Sequence, residues 1–313
     1  MKNIRKPNFF IVGAPKSGTT AMSEYLRTHP NIYLSNPKEP GFFSKDIFKP
    51  LFQSEEEYLS LFAAANSNHT YIGEGSVHYL YSKEALPKIR SFNPEARIIV
   101  MLRNPINMAH AWHSEMVYGG IESVLDFEYA WSIQTDREQG RKLPKYSSYS
   151  SSLLLYKKVC QIGSQVKVLL DIFPRNQIHF ILFDDFISDT NKEYQKLLRF
   201  LNLPDDNRVE FPLINENRGY KWPRLAISLR AIKRYFYTPL YNLRRLKKLT
   251  GRGVETGTGL LRMVDKFIII KGGRLPLRPE FHQYLQCEFR DEILLLQDLL
   301  GWRLDKWLEN KTK

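Results

Sequence analysis

Lys16 sits in the segment Gly13-Ala14-Pro15-Lys16-Ser17-Gly18-Thr19-Thr20, directly after the apolar run Phe9 to Val12. An apolar run of strand length, closed by glycine and proline, reads as a buried strand ending in a tight loop. From Thr20 the pattern turns helical, through Ala21, Met22, Tyr25 and Leu26. Such a loop aims backbone N–H groups at an anion, and the helix dipole adds partial positive charge. Lys16, Ser17, Thr19 and Thr20 add side-chain donors, and Thr20 suits a helix N-cap. The chemistry is phosphate binding. The nucleoside triphosphate pattern GxxxxGK[ST] places its lysine after the second glycine; here Lys16 precedes Gly18. A magnesium-dependent phosphoryl transferase also needs a metal-binding carboxylate after a later strand. The strand read at Arg97–Leu102 runs instead into Arg103-Asn104-Pro105. Arg103 is a fixed cation whose planar fork fits a phosphate. The chain therefore lacks both the lysine spacing and the metal carboxylate of a P-loop nucleotide kinase, the alternative from a different class, and these two features argue against it.

Further titratable residues cluster in two short segments, Lys38-Glu39-Pro40-Gly41-Phe42-Phe43 and Ile72-Gly73-Glu74-Gly75-Ser76-Val77-His78-Tyr79-Leu80. The first looks like the Lys-Glu-Pro-x-Phe-Phe element of carbohydrate sulfotransferases, the second like their Gly-Glu-x-Ser-Pro-x-Tyr segment. Phe183-Asp184-Asp185-Phe186, Leu198 to Leu203 and the tail Leu299 to Trp307 are similar too. With the Lys16 loop and Arg103, these segments resemble sulfotransferases that use 3′-phosphoadenosine 5′-phosphosulfate (PAPS). The likeness covers about the whole chain, with Arg218 to Arg278 matching least.

The resemblance implies an α/β, P-loop-like three-layer fold, with PAPS as co-substrate and no metal. It implies that Pro15, Lys16, Ser17, Gly18, Thr19 and Thr20 bind the 5′-phosphosulfate and that Arg103 binds the 3′-phosphate. Family members usually carry a serine eight residues after that arginine; this chain has Ala111, and Ser114, about one helical turn on, is the substitute. Arg218, Gly219 and Lys221 lie where the family returns a basic loop to the cofactor. Glu39 falls at the family's catalytic carboxylate, the general base that takes the acceptor's proton. Its flanks Pro40, Phe42 and Phe43 are expected to desolvate it and raise its pKa. His78 is the rival base, since small-molecule sulfotransferases use histidine. Glu74 binds acceptor or orients Lys38; Lys38 and Phe42 line the acceptor side. Lys16 answers the charge that develops on the leaving phosphate. The resemblance implies a carbohydrate hydroxyl as acceptor, in a polysaccharide, oligosaccharide or glycolipid. The alternative is a lipid, polyketide or other small-molecule alcohol.

Expected strands are Asn8–Gly13, the region of Thr70–Gly73, Arg97–Leu102 and Gln177–Phe183. Expected helices are Thr20–Thr28, Ser82–Phe92, Ile106–Tyr118, Ser151–Phe173, Lys192–Leu201 and Pro279–Leu300. Strands alternating with helices predict a central parallel sheet flanked by helices. Both candidate phosphate-binding loops then lie at carboxyl ends of strands, where ligands bind. Tyr118–Glu122, Gly140–Ser152 and Gly251–Gly259 read as mobile loops.

The 313 residues, 43% of them hydrophobic, suffice for one large α/β domain, 1–313. A basic, aromatic-rich subregion is expected at about 218–278. From Arg218 to Arg252 stand eleven Lys and Arg residues and no acid, within a net charge of +13. Trp222, Tyr235, Phe236, Tyr237 and Tyr241 are interleaved. A solvated basic face, a groove for an anionic acceptor and a surface touching anionic lipid all fit this pattern. Nucleic acid is not expected as partner, because no recognition fold is evident. No run of 18 apolar residues occurs, so no spanning helix is expected. Cys160 and Cys287 lie in amphipathic helical patterns and read as buried thiols rather than a bridge. The expected compartment is cytoplasmic, with peripheral membrane contact as the variant.

Overall fold

The computed structural model describes residues 5–47, 52–144, 151–214, 218–220, 269–271 and 274–309. Lys221 and the rest of the basic segment to residue 252 lie outside them, as does the Gly251–Gly259 loop.

Five strands, β1 (Phe9–Gly13), β2 (Ile32–Leu34), β3 (Tyr71–Gly75), β4 (Arg97–Leu102) and β5 (Ile178–Leu182), form one sheet in the order β2-β3-β1-β4-β5. Every pairing in it is parallel. β1 is central and buried along its whole length, which is why it reads as an unbroken apolar run. From β1 the chain passes to β2, returns to β3 beside β1, and then crosses to β4 on β1's other side. Open α/β sheets bind their ligands at such a reversal, outside the carboxyl ends of the strands.

Among the described residues the helices are α1 (Thr19–Arg27), α2 (Glu55–Leu59), α3 (Ala85–Phe92), α4 (Pro105–Tyr118), α5 (Phe127–Ser132), α6 (Gln134–Glu138), α7 (Tyr156–Val159), α8 (Ile162–Ile172), α9 (Phe183–Ser188), α10 (Thr190–Phe200) and α11 (Pro279–Leu300). Phe9, Ile11, Ile99, Met101 and Ile181 point to one face of the sheet. There they pack with Met22, Tyr25 and Leu26 of α1 and Tyr194, Leu197 and Leu198 of α10. The alternate residues, Phe10, Val12, Ile98, Val100 and Phe180, are buried on the other face. Phe180 meets Trp302 there, just beyond α11, with ring centroids 6.3 Å apart. α8 lies so close to α11 that a Cβ on Gly163 would stand 2.3 Å from the Glu292 carbonyl oxygen.

Two compact units divide the chain. The first, Met1–Trp112, Leu155–Asn215 and Leu277–Lys313, contains the parallel sheet. The second, His113–Leu154 and Glu216–Pro276, contains β6 (Arg218–Tyr220) and β7 (Ile269–Lys271), paired antiparallel. In the second unit Glu122 and Arg137 form a fully buried ion pair, Nη1 to Oε2 at 2.7 Å. Glu122 Oε1 also accepts the backbone N–H groups of Ser123 and Val124 at 2.8 Å each. The turn after Tyr118, read from sequence as loose, is therefore tied to the interior at Glu122.

The expected helix Ser151–Phe173 is three pieces, a 3₁₀ turn (Ser151–Leu154), α7 and α8. Leu155 and Gln161, with ψ of 75° and 62°, leave the helical region between them. Both cysteines are free, but Cys287 is exposed rather than buried. Among the described residues no helix is long and apolar enough to cross a membrane.

Candidate functional site

β1 ends irregularly. Its register against β4 shifts between Ile11 and Gly13, so the Val12 carbonyl turns away and accepts the Leu80 N–H at 2.9 Å. A Cβ at Gly13 would fall 2.9 Å from the Leu80 Cβ, which ties the start of the loop to the end of the β3 segment. Gly18 is the N-cap of α1, in left-handed conformation at φ 86°. The sequence reading placed the cap at Thr20; Thr19 and Thr20 are instead the first helical residues. No side chain caps α1 and no acidic residue stands in its first turn. An uncapped, acid-free helix start after a glycine loop fits an anion. Ser17 is buried, and its hydroxyl donates to the Pro15 carbonyl at 3.3 Å, bracing the loop from within.

Arg103 follows β4. Its Nη1 donates to the Lys16 carbonyl at 2.7 Å, and its guanidinium lies 4.4 Å from the centroid of the Phe183 ring. The arginine expected on a 3′-phosphate thus also clamps the backbone of the lysine loop. Asn104, beside it, caps α4 by accepting the Ile106 N–H at 2.9 Å. Asn104 also donates to the Trp307 carbonyl at 3.4 Å, and the Trp307 indole donates to Asp184 at 2.9 Å. The tail matched by resemblance therefore braces the Arg103 loop.

Glu39 is held on β3. Its N–H donates to the Gly75 carbonyl at 3.1 Å, and its φ is 58°. Five non-glycine residues among those described have positive φ: Lys16, Glu39, Lys142, Asn202 and Asn207. Asparagine tolerates this region; Lys16 and Glu39 gain nothing local from it. Such strain gathers where a side chain must be aimed.

The Glu39 side chain is 41% exposed and meets Lys38 Nζ at 2.8 Å. Crowding by protein desolvates the carboxyl and pushes its pKa up, as the sequence reading expected. The charges of Lys38, His78 and Lys16, with the Lys38 hydrogen bond, outweigh that and hold it below its ordinary value. The expected net rise is thus reversed, because the residues that set it come from three separate segments. They also gather Lys16, Lys38, Glu39 and His78 into one electrostatic neighbourhood. His78 is 5% exposed and lies edge-on to Trp112, centroids 5.3 Å apart. Burial drives its pKa down to about 4, so the ring is neutral near pH 7.

Glu74 is fully buried. Its Oε1 accepts the hydroxyls of Tyr58 at 2.8 Å and Tyr79 at 2.6 Å, and its Oε2 accepts Ser76 Oγ at 2.6 Å. Both oxygens are taken up by protein hydroxyls, so Glu74 supports the loop rather than facing an acceptor. Phe42 is half-buried and stacks on Tyr58, centroids 4.4 Å apart. Ser114, on α4, and Arg218 and Gly219, on β6, belong to the second unit. Among the described residues no group of three or more His, Cys, Asp or Glu is placed to hold a metal ion.

Glu74 and His78 make a pH prediction. Burial raises the Glu74 pKa to about 7 from 4.5. Between those values folded Glu74 keeps a proton that the unfolded chain has released. Its contribution to stability therefore falls as pH rises from 4.5 to 7, by at most about 3 kcal/mol. His78 and His179, both held near 4 by burial, act in the opposite sense. The unfolded chain takes up their protons below pH 6.5, so their contribution is lost as pH falls from 6.5 toward 4. Glu74→Gln removes the opposing group. The urea midpoint of this variant should climb more steeply from pH 4.5 to 6.5 than that of the wild type. Parallel slopes would show that Glu74 does not titrate in this range.

A family model described as a sulfotransferase domain matches residues 6–213, the segment that carries β1 to α10. The chain belongs to the sulfotransferase domain family. It is 26% identical over 232 residues to the human bifunctional heparan sulfate N-deacetylase/N-sulfotransferase 3, covering 71% of this chain and 25% of that protein. It is 26% identical over 300 residues to mouse carbohydrate sulfotransferase 15, covering 74% of this chain and 52% of that protein. The chain thus spans a quarter to about half the length of these relatives. The crystal structure of a sulfotransferase from Alicyclobacillus acidocaldarius shares the fold. Its TM-score is 0.68 at 23% identity, covering 98% of this chain and 100% of that one.

Proposed function

We propose that this chain is a PAPS-dependent sulfotransferase that sulfates a hydroxyl of a carbohydrate, with Glu39 as general base. The observation that carries the reading is the shared strained geometry of Lys16 and Glu39. Each is held in a left-handed conformation on a loop at the carboxyl end of a strand, and the Lys16 charge reaches the Glu39 carboxyl. PAPS supplies an activated sulfuryl group on a phosphate leaving group.

The residues of the chain divide the remaining work. The start of α1, with Ser17, Gly18, Thr19 and Thr20, holds the 5′-phosphate end, and Arg103 takes the 3′-phosphate. Lys16 stabilises the negative charge that develops on the leaving phosphate oxygen. Glu39 accepts the proton of the attacking group as the new S–O bond forms. Its lowered pKa keeps it ionised through the neutral range, ready without prior deprotonation. Carbohydrate as acceptor class draws on the names of the relatives and on the Glu39 segment. Those names include an N-sulfotransferase, and an amine acceptor also gives up a proton, so Glu39 serves either atom.

The test is ligand binding followed by an acceptor screen. The bisphosphate product, 3′,5′-bisphosphoadenosine, should raise Tm without added metal. At about 100 times its Kd it should add roughly 2.7 kcal/mol. Labelled PAPS should then label a hydroxyl-bearing polysaccharide. Stabilisation by ATP–Mg²⁺ with none by the bisphosphate would overturn the cofactor. Labelling only of free-amine glucosaminyl polymers would change the acceptor atom. Labelling only of lipid or polyketide alcohols would overturn the acceptor class.

A further inference from the structure

Glu74 receives three hydroxyls, and the side chains that carry them each meet a different residue of the loop that presents Glu39. Ser76 Oγ donates to Glu74 and accepts the Gly41 N–H at 3.1 Å. The Tyr79 hydroxyl donates to Glu74 and accepts the Phe43 N–H at 3.4 Å. The Tyr58 hydroxyl donates to Glu74, and its ring lies parallel to the Phe42 ring, 6° between planes. Because Gly41 and Phe43 occupy the acceptor side of Ser76 and Tyr79, both hydroxyl protons are directed at the carboxyl. Gly41 has φ 63° and Glu39 φ 58°, so two left-handed turns flank Pro40. A three-residue stretch bent in this way does not hold its shape unaided. Its anchors are Gly75 O for Glu39, Ser76 for Gly41, Tyr58 for Phe42 and Tyr79 for Phe43, all but Tyr58 from the end of β3 and the residues just after it.

From this geometry we infer that Glu74 is a positioning residue for Glu39: it orients Ser76, Tyr79 and Tyr58 so that residues 41–43 are pinned and the Glu39 carboxyl is aimed. The inference rests on the reading of Glu39 as the base. It assigns the buried carboxylate to catalysis through the loop, without contact to the acceptor.

Glu74→Gln is the informative variant. An amide oxygen still receives the two tyrosine hydroxyls. The amide NH₂ then faces Ser76 Oγ, which already accepts from Gly41, and the Ser76 proton loses its acceptor. The Gly41 anchor loosens while the volume is kept. The experiment is a double-mutant cycle of Glu74→Gln with Glu39→Gln, measured at pH 8 with labelled PAPS and acceptor. Alone, Glu74→Gln should lower kcat about 10- to 100-fold, the scale of a misaimed catalytic group. The acceptor KM and the affinity for the bisphosphate product should stay within about twofold, since uniform binding is untouched. In the Glu39→Gln background it should cost almost nothing more, because the group it aims is gone. Ser76→Ala should reproduce the pattern and replaces Glu74→Gln if that variant fails to fold. Equal losses in both backgrounds would make Glu74 a structural residue and overturn the inference, as would an unchanged kcat in the single variant. A Glu39→Gln enzyme with wild-type kcat would overturn the base assignment itself, and this inference with it.

Discussion

Lys16→Ala is expected to lower kcat about 10²–10³-fold, the scale of losing one charge-stabilising donor aimed at a transition state. The loss should be chemical rather than structural. Arg103 holds the Lys16 carbonyl, a backbone group that alanine keeps, at 2.7 Å. The left-handed φ of 60° strains lysine and alanine alike, so the substitution adds no backbone penalty. Lys16→Gly separates the two effects. Glycine relieves the strain and should unfold no earlier than Lys16→Ala, yet be equally slow. Lys16→Arg keeps the charge on a longer, planar group and should recover part of the rate. A secondary shift follows from geometry. The Lys16 charge is one of those that depress the Glu39 pKa. Removing it should move the acid limb of kcat/KM upward in pH. The measurements are single-turnover rates with labelled donor, Tm, and pH profiles of the four proteins. An alanine variant within about threefold of wild type would remove Lys16 from the reaction.

The Lys16 loop was legible as a strand–loop–helix element because it is local. An apolar strand, a glycine turn and a helix start follow one another in sequence, and the structure keeps them as β1, the Lys16 loop and α1. β4 and α11 were likewise legible end to end, since a long buried strand and a 22-residue amphipathic helix carry strong periodicity. β2 was missed: it has three residues, lies at the sheet edge and starts two positions after Pro30. α2, α5, α6 and α9, of five or six residues each, are too short for a helical period to show. The electrostatics of Glu39 were misjudged for a different reason. Phe42 and Phe43 adjoin it in sequence, but their rings pack on Tyr58. Its titratable neighbours Lys16 and His78 arrive from the ends of other strands. Glu74 appeared as a candidate acceptor ligand because a glutamate in a motif looks chemical. Only the fold shows three hydroxyls converging on it.

Glu39→Gln should lower kcat about 10²–10⁴-fold and leave affinity for the bisphosphate product unchanged, as loss of a general base predicts. The rival, His78, needs a direct comparison, because pH profiles do not separate the two. Glu39 is held below its ordinary carboxylate value, and His78 sits at about 4. Either group as base gives an acid limb of its own well below neutrality. Access separates them. Glu39 offers a side chain that is 41% exposed, so an acceptor can approach it without repacking the protein. His78 is 5% exposed and lies edge-on to Trp112, where an acceptor would first have to displace protein. When protonated at low pH, His78 also helps depress the Glu39 pKa, so its removal should shift only the acid limb. His78→Asn is therefore expected to keep kcat within about tenfold of wild type, with any acid limb moved up in pH. The pair of variants decides the assignment. A slow Glu39→Gln beside an active His78→Asn supports the carboxylate. The reverse result makes the buried histidine the base and turns the acceptor toward the small-molecule alcohols.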